Sequence, residues 1–380
     1  MRTYAWTGIT LLLVGTLAMA DGLSTVRTMG GLGVGARALG LGGAYTAVAD
    51  GPSALYWNPA ALALEQDFKS DFSITGAAKN LDALGDLKDV YDAIDSGDIG
   101  PGDFSALWDA AERASGRPVT GAVGGLMGFS YRQFAIGGYG QAAGDMLLEQ
   151  GQGGVGADAV APAAFDPTQS AWVTGNADGL GYYAVAVGYG RMVTADLAAG
   201  VAIKRVHVVR AAAEVAAQYD AGSLTYASNT QTATSAGDDG FAADLGIIWW
   251  PQPEKTDRRV RVAAVVRNIG SPRFDVDVPI DDLDRVTFGT TVNVGVGVTS
   301  KDGRTLFTAD VHNVLSGSGA DATLAAGVEH QFTRWLALRA GWREGHLTAG
   351  LTLQAGPFAL VAAAGTPWGE TAAFSFDTQF

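Results

Sequence analysis

Histidines at positions 207, 312, 330 and 346 are the only imidazoles in this 380-residue chain, and cysteine is absent. None of them falls in an H-E-x-x-H spacing, and no thiolate is present to complete a tetrahedral zinc set. No G-x-S-x-G turn presents a serine nucleophile. The glycines near 30–43 lack the strand–turn–helix setting of a phosphate cradle. What remains with chemistry to offer is a set of charged residues alternating with apolar ones. Asp310 and His312 stand two apart, so in a strand they share one face, opposite Phe307, Ala309 and Val311. Arg339 and Arg343 oppose Leu336, Leu338, Ala340 and Trp342 in the same way, and Arg259, Arg261 and Arg267 oppose Val260, Val262, Ala264 and Val266. A catalytic use of Asp310, His312 and Glu329 needs a nucleophile fixed beside a base, and the sequence places none there. The expectation is a polar network of Arg261, Asp310, His312, Glu329, Arg339 and Arg343 in a protein that is not an enzyme, with no cofactor and no metal.

Such one-faced charges need a sheet to carry them. Period-two segments recur at 119–131, 133–144, 181–192, 258–270, 285–300, 305–314, 321–332, 334–342, 347–356, 358–365 and 372–380. Connections as tight as Lys301-Asp302-Gly303 and Gly356-Pro357 imply antiparallel neighbours, because parallel pairing needs long crossovers. A soluble sandwich and a membrane barrel both alternate, with opposite faces turned to water. Three features favour the barrel: the number of strands, aromatics near strand ends (Tyr182, Tyr183, Tyr189, Trp249, Trp250, Trp335, Trp342), and the N-terminus. There Arg2, an apolar run over 5–14 and Ala18-Met19-Ala20 read as a cleaved signal peptide over 1–20. No apolar run in the remainder is long enough for a membrane helix, which leaves strands to do the spanning.

Composition agrees with this. The chain carries 25 Lys+Arg against 39 Asp+Glu, 53 glycines and 48% hydrophobic residues. That is too apolar for an acidic disordered chain, and it has no basic stretch for nucleic acid. In a barrel, apolar side chains face lipid while acids gather in the lumen and loops. Three regions break the alternation. Residues 28–65 are Gly/Ala-rich. Residues 80–114 read as two helices, with Leu81, Leu84, Leu87, Tyr91 and Ile94 on one stripe, Phe104, Leu107, Trp108 and Ala111 on another, and Asn80 and Asp103 as caps. Their acidic side reads as solvated surface, the alternative being attraction of a cation or a partner. Residues 146–178 and 210–240 read as long loops.

The most specific string is GARALGLGGAYTAVADGPSALYWNPAALA at 35–63. Asp50 before Pro52 and Asn58 before Pro59 are cap-then-proline arrangements, and Gly40, Gly42 and Gly43 allow close backbone approach. Gly35-Ala36-Arg37-Ala38, Gly42-Gly43-Ala44, Ala49-Asp50, Pro52-Ser53-Ala54 and Asn58-Pro59-Ala60 resemble the N-terminal signature of the FadL/OMPP1 and PorV-like outer-membrane barrel superfamily. The helical insertion followed by Arg267-Asn268-Ile269-Gly270-Ser271-Pro272-Arg273-Phe274 resembles its TraF-like branch, labelled after a conjugal-transfer protein. The resemblance implies an all-β fold: a transmembrane antiparallel barrel of about 14 strands over 67–380, its helical insertion at 80–114, and an N-terminal hatch over 21–66. Gly35, Arg37, Gly40, Gly42, Gly43, Asp50, Pro52, Asn58 and Pro59 would then be hatch residues, and Phe376 and Phe380 a C-terminal signal to the barrel-assembly machinery. It implies a place in the outer membrane of a Gram-negative-type bacterium, among outer-membrane lipid. The implied function is passive transport of hydrophobic or amphipathic small molecules. The alternative is a non-transporting adaptor or structural barrel linked to secretion or conjugal transfer, with an envelope protein partner at the 80–114 helices.

Overall fold

Strand alternation builds a wall in which each strand is satisfied by the next. The computed structural model describes residues 33–80, 101–114, 117–152, 165–221, 225–232, 236–251, 259–277, 285–317, 321–366 and 370–379. The expected signal peptide, the first helix of the 80–114 insertion and Phe380 lie outside the described residues. The strands are β1 (Phe68–Lys79), β2 (Val119–Tyr131), β3 (Phe134–Gln152), β4 (Ala171–Met192), β5 (Leu197–Asp220), β6 (Thr225–Thr232), β7 (Ala236–Trp249), β8 (Arg259–Ile269), β9 (Arg273–Asp275), β10 (Arg285–Thr287), β11 (Thr291–Thr299), β12 (Thr305–Ser316), β13 (Thr323–Thr333), β14 (Leu336–Arg343), β15 (His346–Ala355), β16 (Phe358–Gly365) and β17 (Glu370–Gln379).

Fourteen of these close a ring. β1 to β5 follow in order, then β7, β8 and β11 to β17, and β17 returns to β1 with Lys69 opposite Gln379 and Ala78 opposite Glu370. β6 pairs with the last turnward part of β5, beyond the stretch that β7 occupies. β9 and β10 form a separate two-stranded ribbon. Within the ring of fourteen no strand is left with an open edge, which is the condition for strands to stand in hydrocarbon.

The outward set is apolar and exposed. It includes Phe72 and Ile74 on β1, Met127 and Phe129 on β2, Val185 and Val187 on β4, and Phe374 and Phe376 on β17. The inward set is small or polar, with Ser73, Thr75, Thr308, Asp310, Arg339, Arg343 and Ser375 buried. This is the inversion a lipid-facing barrel requires. Tyr183, Trp249, Trp335 and Trp342 belong to the outer set. Tyr182 does not: it shares the alternation of the buried Ala184 and Ala186 and meets Phe288 inside the barrel at 5.1 Å. Two adjacent tyrosines in a strand must face opposite ways, so only one could be at the lipid boundary.

The stretches read as loops, 146–178 and 210–240, are largely strand. β3, β4 and β5 run 19, 22 and 24 residues, roughly twice the 9–11 needed to cross a bilayer. Above the apolar belt the outer face no longer meets lipid, so alternation fades into Gly and Ala although the ladder continues.

Candidate functional site

Inside the ring lies the N-terminal segment: a helix at Ala36–Gly40, a 3-10 turn at Gly51–Ser53, a helix at Ala54–Trp57 and a 3-10 run at Pro59–Leu64. Nearly all of it is buried. Asn58 takes the capping role read for it. Its Oδ1 accepts from the Ala60 N–H at 3.0 Å, and its Nδ2 donates to the carbonyls of Thr46 and Ile247 at 3.0 and 3.3 Å. Asp50 does not cap. Ser53 Oγ donates to the Asp50 carbonyl instead, which frees the Asp50 carboxylate for Arg37 and Tyr45.

Inward glycines of the wall let this segment seat at backbone distance. A Cβ at Gly327 would stand 2.6 Å from the Leu41 carbonyl oxygen, and one at Gly190 would stand 2.5 Å from Ala63 N. Cβ atoms at Gly200, Gly246 and Gly341 would collide with Pro59, Asn58 and Gly42. Gly42 itself holds φ +69° against the Trp342 backbone, a combination only glycine accepts without strain.

The charged residues singled out from sequence divide into two anchors on this segment. In the first, Arg37 grips Glu329 with Nε and Nη2, both at 2.9 Å, and reaches Asp50 with Nη1 at 2.9 Å. Tyr45 Oη donates to Asp50 at 2.6 Å, and Arg339 donates to Glu329 and to Thr352. Burial alone would raise the Asp50 carboxyl, but Arg37, Lys69 and the Tyr45 hydroxyl outweigh it and hold it at about 2. In the second, Asp310 accepts the N–H groups of Tyr45 and Thr46 at 2.8 and 2.7 Å. His312 Nε2 lies 3.1 Å from the Gly43 carbonyl, with the Arg343 guanidinium against Gly43. Arg261 faces inward on β8 and joins neither anchor. Gly35 supplies the φ +92° turn ahead of the first helix, Gly40 packs on Arg339 and Gly350, and Pro52 sits against Gly128. Pro59 meets the wall at Gly200.

A second occluding element was not evident from sequence. At the end of β8 and just beyond it, Asn268, Gly270 and Ser271 all adopt positive φ, and the chain turns into the barrel. The ribbon β9–β10 then buries Phe274, Val276 and Val286 in the same cluster as Tyr56, Tyr139 and Leu180. The turn is pinned by Asp244, which accepts from the Asn268 N–H at 2.7 Å and from Lys204 Nζ at 2.7 and 2.8 Å. The motif at 267–274 carried this signal as a clustering of Asn, Gly, Ser and Pro.

The described helix of the insertion, Pro101–Ala114, packs on the outside of the wall. Its Phe104, Leu107, Trp108 and Ala111 meet Val119, Leu148, Val173, Ala217 and Tyr219. These five share the alternation of the lipid-facing Met127, Ile136, Val185 and Ile203 across uninterrupted registers. Asp103, Asp109 and Glu112 are exposed on the opposite side, and Asp103 lies within the first turn rather than capping it. Among the described residues no group of three or more metal-ligating side chains forms.

No family model and no curated protein matches the chain. Solved structures do. A TodX monoaromatic hydrocarbon channel carrying a deltaS2S3 change is 13% identical over 91% of this chain and 99% of its own, at a TM-score of 0.52. CymD, a monoaromatic hydrocarbon channel, is 11% identical over 93% and 99%, at 0.49. A Pseudomonas aeruginosa FadL homologue is 12% identical over 96% and 99%, at 0.48. At such identities the likeness speaks to architecture, and what it establishes is that this closed 14-stranded barrel, with its N-terminal helical elements inside, shares its fold with the TodX channel.

Proposed function

We propose that the protein is a passive channel of the outer membrane for hydrophobic or amphipathic small molecules, with residues 21–66 as its hatch. The observation that carries this reading is the independence of wall and plug. The ladder closes from β1 to β17 without help from the described residues of the N-terminal segment, 33–66, which are held by side-chain anchors and contacts at inward glycines. A plug that shares no strand with its wall can shift without opening the sheet. The likeness to a TodX protein described as a monoaromatic hydrocarbon channel lends support. In this reading residues 1–20 are removed on export, and Phe376 and Phe380 address the barrel-assembly machinery.

The test is reconstitution in vesicles with a lipopolysaccharide outer leaflet. Protein-dependent accumulation of toluene or a long-chain fatty acid, without accumulation of sucrose, is expected. No accumulation of either solute above empty vesicles overturns the channel reading.

One observation favours the second reading, a non-transporting adaptor within the TraF-like branch: the externally seated helix with its exposed acids. Short turns mark the periplasmic end of such barrels, and of the four two-residue connections Arg132-Gln133, 334–335 and Gly356-Pro357 lie at the end opposite the helix and Glu344-Gly345 at the helix end. A partner docking there would come from outside the cell.

A further inference from the structure

Arg267 is an inward guanidinium that lies on a tyrosine ring and, among the described residues, has no hydrogen-bond partner. It faces the lumen on β8, with the buried Ala263 and Val265 on the same alternation. Its Cζ lies 4.1 Å from the centroid of the Tyr56 ring, and its Nε is buried without a hydrogen-bond partner. Among the described residues none of its nitrogens forms a hydrogen bond or an ion pair. Asp244 lies close enough to act on it electrostatically, but that carboxylate is committed to Lys204 and to the Asn268 N–H. The buried charges here therefore sum to an excess of one positive charge inside a strongly acidic chain.

Two further polar groups close by lack partners. Tyr139 Oη and Gln141 Oε1 belong to residues 4% and 3% exposed, and neither atom has a hydrogen-bond partner. Buried polar groups are ordinarily satisfied, so unmatched ones beside an unmatched guanidinium mark a place for a ligand. The surroundings are aromatic. Tyr56 meets Tyr139 edge to face at 5.2 Å, and Tyr182 meets Phe288 edge to face at 5.1 Å. Arg267, Tyr182 and Phe288 keep accessible surface on the lumen side.

We propose that this constellation, between the hatch and the inward-turned β9–β10 ribbon, binds an aromatic carboxylate. A guanidinium presents a planar fork of donors that matches a carboxylate in two parallel hydrogen bonds. The Tyr139 hydroxyl adds a donor, and edge-to-face rings offer flat apolar walls to a second ring. A neutral hydrocarbon would leave the guanidinium unpaired, whereas a small aliphatic anion would leave the ring walls unused. This inference rests on the channel reading for the ligand's route, but not for its binding.

The test is calorimetric binding to the full-length protein in detergent, with benzoate, toluene and acetate as probes. Benzoate is expected to bind at least tenfold more tightly than either other probe. Arg267→Met is expected to weaken benzoate at least tenfold and leave toluene unchanged, with Arg267→Lys intermediate. Heat-modifiable migration of each variant checks that the barrel is folded. Equal binding of benzoate and toluene, or of benzoate and acetate, overturns the proposal, as does full benzoate affinity in folded Arg267→Met. Vesicle uptake separates the two readings: toluene uptake without benzoate binding leaves the channel and removes this site. Benzoate binding without any uptake does the reverse.

Discussion

Glu329 is where two arginines from different parts of the chain converge, Arg37 from the plug and Arg339 from the wall. Removing one member of a largely buried ion pair strands its partners, a change that costs about 3–5 kcal/mol when burial is complete. Glu329 retains 14% side-chain exposure, so Glu329→Gln is expected to cost somewhat less, about 2–3 kcal/mol, read from the urea midpoint of plug release. Faster proteolysis of the N-terminal segment should accompany it, and an unchanged midpoint would show that the anchor is ornamental. Asp50 makes a separate prediction. Its carboxyl is held at about 2 against an ordinary 3.8. A depressed carboxyl contributes stability that is complete above the unfolded value and disappears as pH falls through the folded one. The Asp50 share of plug docking, followed by tryptophan fluorescence, should therefore be lost between about pH 4 and 2. Asp50→Asn should make that acid step smaller than in the unaltered protein. The partners of these residues were only half legible in sequence. Alternation places Asp310, His312, Arg339 and Arg343 on inward faces, but a period of two says nothing about which distant segment meets them. The match of Arg37 to Glu329, 292 residues apart, exists only once the ring is closed.

At the scale of elements, the glycines that weaken the strands locally are what admit the plug. Gly200→Val and Gly341→Ala should each destabilise plug docking by about 1–3 kcal/mol, the usual cost of overpacking. Gly76→Ala should be silent, because Gly76 points outward with nothing within 4 Å of a new Cβ. Thermal unfolding of the three variants checks this, and equal effects would refute the close-approach account. The external helix gives a second test: Trp108 is fully buried against the upper wall. Trp108→Ala should cost about 3–5 kcal/mol of helix attachment, seen as accelerated hydrogen exchange over Pro101–Ala114 with the barrel unaffected. Strand identity was legible wherever lipid imposes a one-sided apolar pattern, as in β14 and β17. It was illegible in the upper halves of β3, β4 and β5. There both faces are wet or covered by protein, and Gly and Ala satisfy either. The helical stripe of Phe104, Leu107, Trp108 and Ala111 was readable, but not the face of the barrel that receives it. The 267–274 bend was not read as a turn, although Asn, Gly, Ser and Pro cluster there, and its inward direction depends on Asp244 of β7 and Lys204 of β5, which pin it.

For the whole molecule, a complete ring of strands surrounds a plug and an inward ribbon that contribute nothing to the ring's ladder. Acidity, glycine content and hydrophobicity fit together on that plan: apolar residues outward, small residues where plug meets wall, charged groups inside and beyond the belt. In the proposed channel, solute passes only when the plug moves. Ala47 and Gly297 offer a direct test, since a Cβ at Gly297 would stand 3.7 Å from the Ala47 Cβ, a separation suited to a disulfide once the Val48 side chain, whose Cγ1 would lie at 2.7 Å, turns aside. The chain has no other cysteine to interfere. The decisive measurement is solute accumulation in lipopolysaccharide-coated vesicles carrying the Ala47→Cys/Gly297→Cys protein. Accumulation should fall to the level of empty vesicles when the pair is oxidised and rise again on reduction to that of the Gly297→Cys single variant. Undiminished accumulation through the cross-linked protein would contradict it.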